Sequence, residues 1–542
     1  MRNIHKLKLI LFLLILNNFT FPQVVFEDIN SEVYKLLNHL SLKKIISFND
    51  ETLPLSRNSI AALLLDASHK REQLNRIEKE EVEWYLEEYA YEVNSINNNS
   101  DIHQRWYALD YSDSLFMVRG YPVAGYGVSA FGEYDGHTKL IGAGFYGTYS
   151  NWFSASFEYK DMGEFGDNVD RKKDLTRRTG YFINSRHNSG IEFSDVRGSI
   201  SLNWDWGFVS VRKDYNLWGH GRFGQLFISN KSASYPQVLL SFKPVDWFRF
   251  NYFHGWINSL IPDSNSFYYN HLESEKPFLR RKYVDKYIVA NMLTISPWEW
   301  LDFSAGNSYV YSGSLRPEMF IPFMYYKVMD HNTGREGWGD GNGQIFFDVK
   351  VNYWDNLSIY SSLLIDVLEI RQILKGNWYT SWFGYSIGGQ YADVIIPNLD
   401  ITLEYTKTNP WLYENNDEST TYKHLGYSLG HWIGQNADLL SVNLDYRIIR
   451  GLKVSLLYER FRKGGMNDII NAYQNRTNLP FLYGSLRVEK TVGLGIRYEP
   501  LYDLLAEAKV FYSDISDEDI QRTPLWQIGY KYSIDLSLSY GL

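Results

Sequence analysis

Two stretches carry the G-x-G-x-x-G spacing that cradles the phosphates of a dinucleotide: Gly142, Gly144 and Gly147, then Gly219, Gly221 and Gly224. That chemistry needs the glycine loop between a strand and a helix, so that backbone N–H groups face the pyrophosphate. The first set falls inside a period-two stretch and the second in a loop-to-strand region. Both are therefore expected to serve close backbone packing, not a nucleotide. His424 and His431, with Asp417 and Glu418 nearby, are types that ligate metals, but their spacing fits no familiar ligand pattern. Hydrogen-bonding loop histidines are expected there, and no metal. The acidic stretch Asp514, Asp517, Glu518 and Asp519 reads as a solvated loop. A divalent-cation bridge to anionic lipid or polysaccharide is the alternative, since hard cations favour carboxylate oxygens. There is no G-x-S-x-G elbow, H-E-x-x-H pair or P-loop. Nothing gathers a nucleophile, a base and an orienting group, so a barrel-embedded lipid hydrolase ranks last. No catalytic residue and no cofactor is assigned. The chain has no cysteine, which excludes disulfides, thiolate zinc sites, cysteine nucleophiles and a lipidated N-terminal cysteine.

Two long stretches mix aromatic with hydrogen-bonding residues. One spans 329–344 and contains Trp338; the other spans 409–438 and contains Trp411, Tyr413, His424, His431 and Trp432. Flat aromatic faces stack on sugar C–H surfaces while Asp, Asn, Arg and His bond hydroxyls, so these six residues are candidate glycan contacts. The same types also pack loops together and plug a barrel mouth, and for any single residue that packing role weighs more.

The elements that must position these residues follow from the pattern along the chain. Arg2, Lys6 and Lys8 precede an apolar core from Leu9 to Leu16, the layout of a secretory signal peptide, assigned to residues 1–23. The run is too short to span a bilayer as a helix. Residues 24–100 read as a periplasmic helical domain of about three helices. Asn75 with Glu78 fits a capping box, Ser56 an N-cap, and Val82, Tyr85, Tyr89 and Val93 recur on one helical face. The segment NSINNNSD, ending at Asp101, is the linker.

From there the period becomes two. Phe153, Ala155, Phe157 and Tyr159 alternate with Ser154, Ser156, Glu158 and Lys160; Ile534, Leu536 and Leu538 alternate with Asp535, Ser537 and Ser539. Such strands have one apolar and one polar face. In a membrane barrel the apolar face meets lipid and the polar face lines the lumen. An aromatic content of 17%, no long apolar run and the export signal favour that barrel over a soluble sandwich. Short turns recur near Ser150, Asp205, Val245, Pro297, Asn356, Asn398, Gly451 and Leu501. Eight such turns divide residues 101–542 into nine hairpins, about 18 strands. Trp152, Trp204, Trp206, Trp247, Trp298, Trp300 and Trp354 lie at or beside these turns and read as a periplasmic aromatic girdle. The fold class is mainly β: a large antiparallel transmembrane barrel with a small N-terminal helical bundle. It is expected in a Gram-negative outer membrane, as a monomer in contact with outer-membrane lipid. The formal net charge of -9, with signs mixed, gives no basic patch for nucleic acid.

Three segments bear a resemblance: WGHGRFGQLFISNKSASYP at 218–236, RKYVDKYIVANMLTISPWEWLDFSAGN at 281–307, and EYTKTNPWLYENNDESTTYKHLGYSLGHWIGQNAD at 404–438. Together they resemble the Wzi capsule-assembly family in its Bacteroidetes-like form, over nearly the whole mature chain. Positions matching the family's motif are Trp218, Gly219, Gly221, Ser229, Asn230, Glu404, Tyr405, Pro410, Tyr413, His424, Gly430, His431 and Gly434. His220 departs from it, standing where many relatives carry proline. The resemblance implies an 18-stranded barrel, a helical bundle on its periplasmic side, and an outer-membrane lectin that helps hold capsular polysaccharide or exopolysaccharide at the cell surface. The alternative function on the same frame is a porin for small solutes or saccharides, because a barrel of this size can enclose an aqueous lumen.

Overall fold

The computed structural model describes residues 24–97, 105–150, 152–266, 281–328, 341–376, 381–465 and 479–541, with the backbone of two short strands at Tyr268–Asn270 and Phe278–Arg280. The expected signal segment 1–23, the second half of the expected linker (98–101) and Trp338 lie outside the described residues. The first half of that linker is not an open connection, since Asn94, Ser95 and Ile96 continue the helix Ala90–Ile96.

Eighteen antiparallel strands close into a barrel. Closure joins the last strand, Gly529–Tyr540, to the first, Phe116–Phe131, in a register running from Ser533↔Phe131 to Tyr540↔Ala124. Gly207–Asp214 has 8 residues. Others reach 16, as in Phe116–Phe131 and Tyr283–Trp298. A tilted strand needs about 9–11 to cross hydrocarbon. The side-chain pattern is inverted relative to a soluble protein. Ile141, Phe145, Ile200, Leu403, Ile496, Leu536 and Leu538 are exposed, whereas Ser154, Ser201, Ser304, Ser358, Thr406 and Ser441 are fully buried. A closed ladder leaves no unpaired backbone in lipid, which is why alternating strands without a long apolar run can cross.

All eight expected short turns are present at one end, between strand pairs such as Tyr134–Tyr149 and Phe153–Gly166, or Arg487–Leu501 and Leu504–Asp517. Trp152, Trp206, Trp247, Trp298 and Trp354 are exposed beside them, while Trp204 and Trp300 are half-buried. Trp298 and Trp300 stack with centroids 5.1 Å apart. A ring of indoles at one height marks the headgroup level.

Among the described residues, four α-helices precede the barrel: Val33–Leu42, Arg57–His69, Arg76–Glu88 and Ala90–Ile96. Ser56 caps the second by accepting from the Ser59 N–H. The Asn75–Glu78 capping box starts the third. The stripe read as one helix through Val93 is two helices, because the chain breaks at Tyr89 (φ -98°, ψ 22°). Val33, Leu37, Leu40, Ile60, Leu64, Val82, Tyr89 and Val93 form their shared core. The bundle packs against the short-turn end. Asn356 N–H donates to the Leu42 carbonyl at 3.0 Å. Asn75 Nδ2 reaches Asn398 at 2.9 Å, and Trp84 stacks on Tyr502 at 3.6 Å.

The acidic stretch of the last hairpin differs from expectation. Asp514 and Asp517 lie on the strand Leu504–Asp517. Asp517 is bound by Arg522 at 2.6 Å and by the Thr523 hydroxyl at 2.6 Å. Its carboxylate is held by partners within the chain, not left in a solvated loop.

Candidate functional site

At the other end of the barrel, two of the long connections turn inward and fill part of the lumen. Residues 215–234 descend through the barrel as far as the helical bundle. Leu217 and Trp218 pair as a short strand with Leu53 and Thr52, and Gly219 N–H donates to the Glu51 carbonyl at 2.9 Å. Residues 409–436 pack over this segment. Ser229 N–H donates to the Leu429 carbonyl at 2.8 Å. The Tyr413 and Tyr422 hydroxyls donate to the Leu226 and Phe227 carbonyls at 2.7 and 3.0 Å. Trp218, Phe227, Phe346, Leu364, Leu412, Tyr413 and Tyr422 form one buried apolar cluster between the loops and the lumen wall.

The tip of the descending segment is clasped by carboxylates. Asp348, on the strand Gly341–Val351, accepts from His220 twice, from the backbone at 3.1 Å and from Nδ1 at 2.5 Å. Asp50, from the bundle side, pairs with Lys350 at 2.7 Å and Arg222 at 2.5 Å, and lies 3.4 Å from His220 Nε2. Burial opposes ionisation of Asp50, but these cations hold its pKa far below the usual carboxylate range. Glu404, on the strand Leu399–Thr408, accepts from the backbone N–H groups of Arg222 and Phe223 at 2.6 and 3.3 Å, and from the Tyr360 hydroxyl at 2.7 Å. Three buried acids thus satisfy backbone donors and cations of a loop that would otherwise carry bare polar groups into a dry interior.

This arrangement explains the second glycine spacing. Gly219 sits at φ +104° and Gly224 at φ +151°. A Cβ on Gly221 would meet the Gly224 carbonyl oxygen at 2.1 Å, and one on Gly224 would meet the His431 ring at 2.5 Å. The glycines bring two loops into contact. The first spacing lies in the strand Tyr134–Tyr149.

Of the sequence-derived glycan candidates, Trp411, Tyr413, His424 and His431 are buried in these loops, and Trp432 is half-buried. His424 Nδ1 accepts from Asn258 N–H at 2.8 Å, and His431 Nδ1 from Ile433 N–H at 3.3 Å. Burial pushes both imidazoles down to about 3, with nearby cations adding to it, so both stay neutral. Trp432 donates its indole N–H to the Phe223 carbonyl at 2.8 Å and lies against Phe461. Among the motif positions, Ser229 Oγ donates to the Gly430 carbonyl at 2.5 Å, Tyr405 donates to Asp438 at 3.0 Å, and Pro410 is buried. Asn230 and Gly434 are half-buried, with Gly434 at φ +64°. Glu404 appeared in sequence only as a motif position. Its role, and those of Asp50, Arg222 and Asp348, became visible only in three dimensions.

His39, Glu78 and Asp393 cluster closely enough to suggest a cation site between the bundle and a short turn. Lys43 already fills it, 2.6 Å from Glu78 and 3.0 Å from Asp393. A cavity of about 560 Å³ remains between bundle, loops and wall, lined by Glu32, Arg222, Arg447, Lys453 and Arg497 among others.

A comparison with protein families matches residues 145–524 to the capsule assembly protein Wzi family. The chain belongs to the Wzi family. Its fold agrees with that of a solved Escherichia coli Wzi, described as an outer-membrane protein of group 1 capsule assembly and a carbohydrate-binding β-barrel. The match has a TM-score of 0.58 at 13% identity, covering 96% of this chain and 99% of that one. Pseudomonas aeruginosa OprD is a more distant likeness, at TM-score 0.40 and 12% identity over 79% of this chain and 94% of that one. Acinetobacter baumannii OccAB1 gives 0.43 and 9% over 78% and 96%. Curated protein sequences gave no match. As a member of the Wzi family with a closed barrel, the protein resides in the outer membrane.

Proposed function

We propose that this Wzi-family barrel is a non-enzymatic, lectin-like protein that binds capsular or exopolysaccharide at its outer face and helps attach or assemble it there. The short-turn end, with the helical bundle of residues 24–100, faces the periplasm. The observation that carries this reading is the partly filled lumen. One loop, anchored by Glu404, Asp348 and Asp50, and a second packed over it give this end of the barrel a built surface of loops instead of a wide passage. A repeating polymer then gains affinity through many weak contacts made at once. Within the candidate set, Trp432 and Trp338 carry glycan contact, while Trp411, Tyr413, His424 and His431 hold the loop in place.

The test is binding of the purified, detergent-solubilised protein to surface polysaccharide from its own host, with an unrelated capsule as control. Saturable binding that Trp432→Ala weakens in a correctly folded barrel supports the reading. Absence of binding to any host glycan, together with stable open-channel conductance, overturns it and leaves a porin on the same frame.

A further inference from the structure

The lipid-facing wall of an outer-membrane barrel is normally apolar, because a polar side chain in hydrocarbon has no partner. Here Asn291 and Asn307 point outward, in one row with Tyr252 across the strands Phe248–Pro262, Tyr283–Trp298 and Leu301–Ser312. Both asparagines are buried. What covers them is the segment 313–328, which leaves the outer rim and folds back down the outside of the wall.

From 313 to 326 the segment is irregular apart from a 3-10 turn at Pro317–Phe320. Irregular backbone at membrane depth survives only where its polar groups are satisfied by protein. Asn291 Nδ2 donates to the carbonyls of Pro322 and Met324 at 2.7 and 2.8 Å. Asn307 accepts from Tyr326 N–H at 2.7 Å and donates to Asn291 at 2.7 Å. The Tyr252 hydroxyl donates to the Met319 carbonyl at 2.9 Å, and the Tyr326 hydroxyl to that of Ile321 at 2.7 Å. Pro317 and Pro322 remove two N–H groups that would need partners. Gly343, on the next strand, lets the segment come close, since a Cβ there would meet Lys327 Cγ at 3.1 Å.

Its depth follows from register. Phe323 stacks on Phe250 at 4.3 Å. Phe250 lies opposite Leu293, and Leu293 opposite Ala305. Ala305 is five residues along from the girdle residue Trp300. At about 3.3 Å per residue and a tilt near 45°, that is roughly 12 Å above the girdle, near the middle of an apolar band about 25 Å tall. Met319 and Tyr326 face the wall and are fully buried. Phe320 and Phe323 lie with one ring face on the wall residues His254 and Phe250, and Phe320, Ile321, Phe323 and Tyr325 leave apolar surface uncovered on the outer side, 38%, 50%, 64% and 47% exposed.

We propose that residues 313–328 form a flap embedded in the outer half of the bilayer, pinned to the barrel wall by Asn291 and Asn307, with Phe320, Ile321, Phe323 and Tyr325 in contact with lipid acyl chains. The occupant of the outer face is hydrocarbon, because exposed Phe303 and Phe347 lie on the same wall at comparable height.

The absence of cysteine allows single spin labels on the full chain. Nitroxides at Ile321→Cys and Phe323→Cys are compared in phosphatidylcholine vesicles with Val492→Cys on the lipid wall and Asn416→Cys on an outer loop. The expected result is oxygen accessibility matching Val492→Cys and shielding from a charged nickel chelate. Adding Asn307→Ala should raise nickel accessibility at position 323 towards that of Asn416→Cys. Nickel accessibility equal to Asn416→Cys in the otherwise unaltered chain overturns the proposal. So does dipolar broadening between labels, which would place a second copy of the chain on this face.

Discussion

Glu404 makes the strongest single test of how the lumen is closed. Its carboxylate is buried and binds two backbone N–H groups of the descending loop and the Tyr360 hydroxyl. Replacement by Ala leaves those donors without partners in a dry site. Hydrogen bonds to a charged group contribute about 1.5–3 kcal/mol each. Not all of this falls on the loop, because Tyr360 belongs to the wall. Taking about 3 kcal/mol for the two loop contacts, the ratio of displaced to seated loop rises roughly 100-fold, since about 1.4 kcal/mol is a factor of ten. Glu404→Gln keeps one acceptor oxygen and should shift the ratio by only about tenfold. The assay is single-channel recording in planar bilayers, reading the fraction of time spent in conducting openings, with heat-modifiable gel mobility to establish that the barrel has folded. A folded Glu404→Ala protein as electrically quiet as its parent would show that this carboxylate does not hold the loop. A parent already open most of the time would remove the premise.

Two further outcomes are expected. Gly224→Ala forces a methyl group into the His431 ring, an overpacking cost of about 1–3 kcal/mol; limited proteolysis should cut within 215–234 faster in this variant than in Gly495→Ala, where the nearest atoms lie 3.9 Å away. The second concerns pH. Burial and Arg447 pull the His39 pKa down, but Asp400 and Glu78, each 2.9 Å from a ring nitrogen, outweigh them and leave it raised above 6.5. Its stabilising contribution is therefore complete below the unfolded value of about 6.5 and is lost as pH rises through the higher folded value. Hydrogen exchange in Val33–Leu42 should quicken, beyond its intrinsic pH dependence, as pH rises above about 6.5. In His39→Gln this excess should vanish, and its persistence there would rule out the His39 linkage.

The barrel was legible in the sequence because each strand states its two faces locally. Alternation of Ile534, Leu536 and Leu538 with Asp535, Ser537 and Ser539 needs no knowledge of the partner strand, and the exposed and buried rows follow it. The eight turns and their tryptophans fixed the strand count for the same reason. The bundle's caps at Ser56 and Asn75 were equally local, whereas the break at Tyr89 was not, since the apolar stripe continues through it.

The candidate site was legible only in part. Sequence singled out Trp218, Glu404, Tyr413 and His431, and weighed packing above glycan contact for any single loop aromatic, but could not tell which of them the fold buries. A polar residue on the inner face of a strand looks the same whether it meets water or another loop. Glu404 and Arg222 are 182 positions apart, and His220 and Asp348 are 128 apart. Nothing in a local pattern tells which carboxylate will find which donor. The outward asparagines make the same point. By period alone Asn291 and Asn307 are exceptions in two apolar rows; only the folded-back segment 313–328 supplies the donors and acceptors that make them stable there. What this sequence determined by itself was the barrel, from periodicity and turn chemistry. What the tertiary structure decided was where the loops go, because that depends on pairing buried polar groups across long separations in the chain.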